Sequence, residues 1–85
     1  MEIKLFWKNG CARCPQAKEL CARLEAEGHR VGYYNVESVD GLAEASFHEV
    51  MGTPSIVVVD DDDEELFSYR GVVPAYEEIK SCLRA

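Results

Sequence analysis

The first third of the chain combines a strand-like run with a helical spacing of apolar residues. Residues 2–7 (EIKLFW) have the β-branched and aromatic content of a strand, and Asn9-Gly10 is a turn signal directly after it. A helix is predicted next, and Pro15 fits its first turn because the missing N–H is not needed there. Positions i, i+3, i+4 and i+7 then form one apolar helix face: Ala17, Leu20, Cys21 and Leu24.

A second strand and a second helix are predicted for the next twenty residues. Gly28 ends the first helix, and the strand covers roughly Arg30–Val36. The helix is expected near Asp40–Val50. Its apolar spacing predicts an inner face that consists of Ala43, Ser46, Phe47 and Val50.

The last third predicts a hairpin and a final helix. Residues 55–60 (SIVVVD) and 65–70 (ELFSYR) are strand-like and so closely joined that they should pair antiparallel, with Gly71 closing the hairpin. The acidic stretch Asp60–Glu65 is expected to be a solvated turn, because consecutive carboxylates point in different directions. The helix Pro74–Leu83 begins with proline. Its predicted inner stripe is Tyr76, Ile79 and Leu83, with Ala75 and Cys82 beside it.

The predicted element order is β-α-β-α-β-β-α, which indicates the α/β class. A right-handed crossover would join the first two strands in parallel, and the hairpin makes the four-stranded sheet mixed. Helices are expected on both faces of this sheet. The sequence contains no repeat or linker, so residues 1–85 are expected to form a single domain.

Composition restricts the partners. The chain has 85 residues, of which 47% are hydrophobic, so a core can form without an obligatory metal or disulfide. A net charge of -7 opposes binding to nucleic acid and to anionic membranes, since both require basic patches. Proteins or small molecules are therefore the expected partners. The sequence shows no basic leader or signal segment, and its longest aliphatic run is Ile56–Val59, so a cytoplasmic location is expected.

Cys11 and Cys14 form a C-x-x-C pair that three functions would explain: metal binding, a structural disulfide or electron transfer. In a reducing compartment such a pair is more often catalytic or metal-binding than structural. A zinc or iron–sulfur site needs two further ligands, and the sequence has no second C-x-x-C or C-x-x-H, so no metal is expected. Cys11 at the helix N-terminus should be the attacking thiolate, with Lys8 and Arg13 adding positive charge, and Cys14 should be more buried.

The sequence resembles the thioredoxin/glutaredoxin superfamily over nearly its whole length. The resemblance rests on Cys11-Ala-Arg-Cys14 after the first strand, Thr53-Pro54 before the third, and Gly71 before the last helix. It implies a thioredoxin fold with a cis bond before Pro54. It also implies that the backbone of Thr53 pairs with a substrate chain, at a substrate edge that includes Lys8, Arg13 and Gly71.

The chain also departs from both branches of that superfamily. Thioredoxins have tryptophan directly before the first cysteine and a buried aspartate six residues before it, where this chain has Gly10 and Leu5. Lys8 matches a lysine common in glutaredoxins. The Gly-Gly and acidic pair that glutaredoxins use on glutathione is reduced to Gly71 followed by Val72-Val73. The pattern favours a glutaredoxin-sized frame with a thioredoxin-like substrate edge.

The predicted function is that of a small thiol–disulfide oxidoreductase that cycles between a Cys11–Cys14 disulfide and a dithiol. It would need no cofactor, would act on protein or small-molecule disulfides, and would take electrons from a partner reductase or glutathione. One alternative is a non-enzymatic thioredoxin-fold adaptor, a redox sensor or metal-transfer module that uses the same pair as a binding switch. Another is a protein that delivers electrons to one dedicated enzyme.

Five further residues are assigned structural or surface roles. Cys21 and Cys82 are predicted to be small core hydrophobes, because free cysteine is among the most buried residue types. His29 and His48 are predicted to be solvated surface residues. Trp7, at the end of the first strand, is predicted either to border the active site or to lie in the core.

Overall fold

The elements follow one another in the predicted β-α-β-α-β-β-α order in the computed structural model, which describes residues 1–84. They are β1 Glu2–Trp7, α1 Cys14–Ala26, β2 Val31–Asn35, α2 Val39–Phe47, β3 Ser55–Val59, β4 Glu65–Arg70 and α3 Tyr76–Leu83. None of the helices within the described range has the length and the apolar composition that spanning a bilayer requires.

The four strands form one mixed sheet in the order β2-β1-β3-β4. β1 and β2 are parallel, with Ile3 opposite Val31, as the predicted crossover requires. β3 is antiparallel to both β1 and β4. The sheet therefore has β1 and β3 at its centre, and the chain segments that follow β1 and precede β3 lie at the same end of the sheet.

The two faces of the sheet bury separate clusters. The face covered by α1 and α3 buries Ile3, Leu5, Ala17, Cys21, Leu24, Ile56, Val58, Ile79 and Leu83. The face covered by α2 buries Phe6, Ala45, Val57 and Val59. All residues of β3 are buried because both faces are covered, and they alternate between the two clusters. The predicted placement of helices on both faces is confirmed.

The predicted inner face of α2 is wrong except at Val50, beyond the end of the helix, which is half-buried and packs against the cluster on this side of the sheet. Phe47 is 65% exposed, and Ala43 and Ser46 are also exposed, whereas Gly41 and Ala45 are buried. The cause is a close approach of α2 to β2, since a Cβ at Gly41 would lie 1.8 Å from the carbonyl oxygen of Asn35. Only the helix face with small residues can pack at that distance.

The start of α2 fixes this orientation. The Ser38 hydroxyl accepts a hydrogen bond from the Gly41 N–H and donates one to the Asn35 carbonyl, at 3.0 and 2.7 Å. Ser38 is thus the N-cap residue, and it ties the first turn of the helix to the end of β2. The apolar stripe of α2 is turned towards solvent as a result.

Two of the minor predictions are also wrong. Cys82 is exposed, and its Sγ lies 3.4 Å from the Tyr69 hydroxyl. His48 is buried, only one residue beyond α2. In contrast, Cys21 is buried as predicted, and burial raises the pKa of its thiol to about 12. His29 is half-buried, with Nε2 3.3 Å from Lys80 Nζ.

A buried polar cluster lies between β1, α2 and the β3–β4 turn. Lys4 points to the α2 side of the sheet and is 3% exposed. Its ammonium donates to Glu44 at 2.7 Å and to Asp63 at 2.6 Å, and it lies 3.1 Å from Nε2 of His48. The acidic stretch is therefore not wholly a solvated turn, because the Asp63 side chain accepts a hydrogen bond from the buried Lys4.

Candidate active site

Cys11 and Cys14 lie where β1 passes into α1 and are joined by a disulfide. Their Cα atoms are 5.4 Å apart, within the usual range of roughly 4.4–6.8 Å. Cys14 is the first residue of α1 and is 2% exposed, whereas Cys11 is half-buried in the preceding turn. Cys11 is therefore the sulfur that an incoming group can reach.

The start of α1 lacks the usual side-chain cap. Arg13 occupies the N-cap position without a capping hydrogen bond, and the first turn contains no acidic residue. Early N–H groups of the helix consequently have no carboxylate or hydroxyl acceptor from the cap. They leave a positive partial charge beside the cysteine pair, which favours a negatively charged sulfur at that place.

The segment around Pro54 forms the opposite wall of the site. The bond between Thr53 and Pro54 is cis, as the family resemblance implies, and Pro54 is buried. The Ser55 hydroxyl donates to the Gly52 carbonyl at 2.7 Å and closes the turn. Within residues 1–84 no hydrogen bond uses the backbone N–H or carbonyl of Thr53. Both groups are thus available to another chain.

Gly71 connects the two walls of the site. Its N–H donates to the Pro54 carbonyl at 2.9 Å, and its own carbonyl accepts from Arg13 Nη2 at 3.1 Å. Gly71 has a φ of +74°, a conformation that glycine adopts without a Cβ penalty. The loop after β4 therefore links the start of α1 to the loop before β3.

The predicted site residues surround one open cleft of about 400 Å³. Its lining comprises Lys8, Cys11, Ala12, Arg13, Gly52, Thr53 and Pro54. The structure thus brings together the residues that the sequence predicted, with Cys14 buried behind Cys11 and Gly71 behind Arg13. We call this space the cysteine cleft. No carboxylate is among its lining residues in the described part of the chain.

Trp7 and Leu5 occupy the strand beside the cysteine pair. Leu5 is fully buried in the cluster beneath α1, so the position of the thioredoxin aspartate is apolar here. The Trp7 ring is half-buried, and the Lys18 ammonium lies 3.5 Å from its centroid. The Trp7 side chain is therefore intermediate between the predicted core and border positions, and it is covered by a cation–π contact.

The Lys4 cluster was not predicted from the sequence, and it is also the place where metal ligands could meet. Ligand atoms of Glu44, His48 and Asp63 lie within 4.8 Å of one another. The Lys4 ammonium contacts all three, so a cation already occupies the centre of the group. The signal in the sequence was the alternation in β1, which puts Lys4 on the same side of the sheet as Phe6.

Solved structures of thioredoxins resemble this fold, and three of them illustrate the similarity. A point mutant of thioredoxin from Halobacterium salinarum has a TM-score of 0.83 and 20% identity, covering 98% of this chain and 71% of that one. Thioredoxin-2, described as a component of malaria parasite protein secretion machinery, has a TM-score of 0.81 and 11% identity, covering 98% and 80%. Thioredoxin 1 from Thermosipho africanus has a TM-score of 0.69 and 15% identity, and the match covers 99% of this chain and 92% of that one. At these identities the structures show the fold.

A family model extends this comparison to the sequence. The model, described as a thioredoxin domain, matches residues 1–84. No curated protein matches the sequence significantly. The match covers both walls of the cysteine cleft.

Proposed function

The chain belongs to the thioredoxin family, and on this premise we propose that it is a thiol–disulfide oxidoreductase that reduces or exchanges disulfides through Cys11 and Cys14. The observation that carries the proposal is the unequal burial of the pair. Cys11 lines the cysteine cleft, whereas Cys14 is enclosed directly behind it. A two-step exchange can proceed through this arrangement, in which one sulfur meets the substrate and the second lies within reach of the first.

The reaction consists of two exchanges. In the reduced protein the Cys11 thiolate attacks one sulfur of a substrate disulfide, forms a mixed disulfide and releases the first substrate thiolate, which takes up a proton. Cys14 then loses its proton and attacks Cys11 Sγ, which releases the second substrate thiol and forms the Cys11–Cys14 disulfide. The substrate gains two electrons and two protons. A partner reductase or glutathione, oxidised in turn, returns the pair to the dithiol.

The groups around Cys11 support its role as attacker. The uncapped N-terminus of α1 stabilises a thiolate, and Lys8 and Arg13 line the same cleft. No side chain in the cleft's described lining is acidic, so the thiolate meets no like charge there. With Leu5 in place of a buried carboxylate, Cys14 would lose its proton to water or to the leaving thiolate.

Thr53 and Gly71 support the binding of an extended substrate. The free N–H and carbonyl of Thr53 can pair with the backbone of a substrate chain, as an added strand pairs with a sheet edge. The Gly71 bridge holds the Pro54 loop against Arg13, so this edge keeps a fixed position relative to Cys11. Protein disulfides are therefore the proposed substrates, and a cytoplasmic partner reductase or glutathione the proposed electron donor.

An insulin reduction assay tests the proposed function. With dithiothreitol as electron donor, the protein is expected to accelerate the precipitation of insulin chains, because Cys11 is accessible and Cys14 can complete the cycle. Replacing Cys11 with serine is expected to abolish the acceleration, and replacing the exposed Cys82 serves as the matched control. An unaltered protein with no turnover on insulin and on hydroxyethyl disulfide would support the adaptor function.

The metal content of the reduced protein provides a further prediction. We expect no stoichiometric zinc or iron after purification without chelator, because Cys11 and Cys14 offer two thiolates and the described lining of the cysteine cleft adds no histidine, carboxylate or further cysteine. Elemental analysis of the protein as purified measures this directly. One metal ion per chain, lost when Cys11 is replaced, would contradict the prediction and favour metal transfer.

A further inference from the structure

The chain contains four cysteines and two methionines, and their sulfur atoms differ in how an oxidant can reach them. Cys11 and Cys14 are joined in a disulfide, whereas the oxidation of cysteine by peroxides begins at a thiolate. Cys21 is buried, and burial raises the pKa of its thiol to about 12, so it is neither accessible nor ionised. While the pair is in the disulfide form, the accessible sulfur atoms are those of Cys82, Met1 and Met51.

Met51 is the accessible sulfur that lies beside the cysteine cleft. It is 96% exposed, against 45% for Met1, and it is in the loop between α2 and β3, two residues before Thr53. Met51, Lys8 and Thr53 line one small cavity of about 150 Å³, and the last two also line the cleft. Met1 precedes β1 and is therefore at the other end of the sheet, and Cys82 is on α3.

We propose that Met51 is an oxidation-sensitive modification site, at which a hydroperoxide converts the thioether to the sulfoxide and thereby weakens the binding of protein substrates. This inference rests on the proposed function. The sulfur takes one oxygen atom from the peroxide and loses two electrons, the O–O bond breaks, and water or an alcohol leaves. A methionine sulfoxide reductase reverses the change. It consumes two thiols and releases a disulfide and water.

The position of Met51 determines which substrates the oxidation affects. A substrate chain that pairs with the Thr53 backbone advances about 3.3 Å per residue, so it extends over the loop that carries Met51. The sulfoxide oxygen is a hydrogen-bond acceptor that water satisfies while Met51 is exposed, and a covering substrate removes this water. Hydroxyethyl disulfide is small enough to reach Cys11 without covering Met51. Oxidation should therefore affect protein disulfides and spare small ones.

Peroxide treatment of the disulfide form tests the proposal, because the disulfide protects Cys11 and Cys14. All proteins carry Cys82→Ser, so that this exposed thiol cannot contribute. After treatment with hydrogen peroxide and its removal by catalase, peptide mass spectrometry is expected to find the added oxygen on Met51 before Met1. With dithiothreitol as electron donor, KM for insulin is then expected to rise at least about fivefold, since burying a polar group without a partner weakens binding by that factor or more. The rate with hydroxyethyl disulfide should stay the same.

Three variants separate the position of the sulfur from its presence. Met51→Leu keeps an apolar side chain of similar size, so its KM for insulin should be equal before and after peroxide. Met51→Gln introduces a polar group without peroxide and should raise KM in the untreated protein. Met51→Leu combined with Leu66→Met moves the methionine to an exposed position on β4 that does not line the cleft. We expect this protein to take up oxygen with no change in KM.

The outcomes separate this inference from the proposed function. If the untreated protein reduces hydroxyethyl disulfide, but oxidation of Met51 leaves KM for insulin unchanged, the modification site is overturned and the proposed function stands. Oxidation of Met1 before Met51 would also overturn it. So would a rise in KM that persists in Met51→Leu, because another residue would then be the target. If the untreated protein reduces no disulfide, both are overturned.

Discussion

The Cys14→Ser protein is expected to accumulate mixed disulfides with its substrates, whereas the unaltered protein releases them. Cys11 lines the cleft and is available to attack, and Cys14 is 2% exposed directly behind it. The variant keeps the attacking thiol and loses the thiol that resolves the mixed disulfide. Without added low-molecular-weight thiol, we expect covalent adducts on non-reducing gels. In the separate assay with dithiothreitol as electron donor, we expect a loss of catalytic insulin reduction. Mass spectrometry of adducts from a cell extract would identify the partners.

The Cys11→Ser protein is the matched control for this experiment. It retains Cys14, but Cys14 is too enclosed to meet a protein substrate, so we expect no adducts through Cys14. Iodoacetamide at neutral pH should correspondingly modify Cys11 of the reduced protein before Cys14. Adducts formed through Cys14, or earlier alkylation of Cys14, would show that the roles are reversed.

The composition of the cysteine cleft could be predicted because its parts have strong local signals and meet at one end of the sheet. Cys11 and Cys14 follow β1, Thr53 precedes β3, and β1 and β3 are antiparallel neighbours. The end of β1 and the start of β3 must therefore be close. The bonds that join Gly71 to Pro54 and Arg13 could not be predicted, since they depend on loop geometry that has no sequence period.

The orientation of α2 could not be predicted from hydrophobic periodicity. Two faces of the helix compete, the predicted one that includes Ala43 and Phe47 and a second one with smaller residues that includes Gly41 and Ala45. Periodicity favours the first, but the distance between α2 and β2 admits only the second. The sequence signal that remains is Ser38, three residues before Gly41, because a serine at the N-cap indicates where the helix begins.

The burial of Lys4 was missed because its partners are far from it in sequence. Glu44 and Asp63 approach it from α2 and from the β3–β4 turn, and neither is a neighbour in the chain. The alternation in β1 assigns Lys4 to a covered face of the sheet. A lysine at such a position requires acceptors nearby, and the folded chain supplies them through these carboxylates and His48.

Replacement of Lys4 with alanine is expected to cause the largest loss of stability among single substitutions outside the two hydrophobic clusters. The variant loses a buried stem and leaves Glu44, Asp63 and the buried His48 without their shared donor. Because the Glu44 and Asp63 side chains are 30% and 45% exposed and can be partly solvated, we expect the free energy of unfolding in urea to fall by roughly 2–3 kcal/mol, a large part of the stability of a small domain. Lys8→Ala, at an exposed position just beyond β1, is the control, with an expected change within about 0.5 kcal/mol.

The pH dependence of stability separates the charge of Lys4 from its packing. Burial lowers the pKa of Lys4, but hydrogen bonds to Asp63 and Glu44 outweigh it and raise the pKa above 10.5. The hydrogen bond from Lys4 holds the pKa of Asp63 below 3.8. The raised pKa of Lys4 stabilises the fold below pH 10.5. This effect is lost as pH rises through the pKa that Lys4 has in the folded protein. The lowered pKa of Asp63 stabilises the fold above pH 3.8. This effect is lost as pH falls through the pKa that Asp63 has in the folded protein.

The Lys4→Met protein keeps most of the side-chain volume. Its unfolding free energy should therefore differ most from that of the unaltered protein at pH values between the folded-state pKa values of Asp63 and Lys4. We expect the difference in unfolding free energy to shrink in acid and in alkali, because the ion pairs of the unaltered protein are lost there. Urea unfolding across the pH range measures it. A difference that stays constant with pH would show that Lys4 stabilises the fold through packing alone, and that its contacts with Glu44 and Asp63 add no net stability.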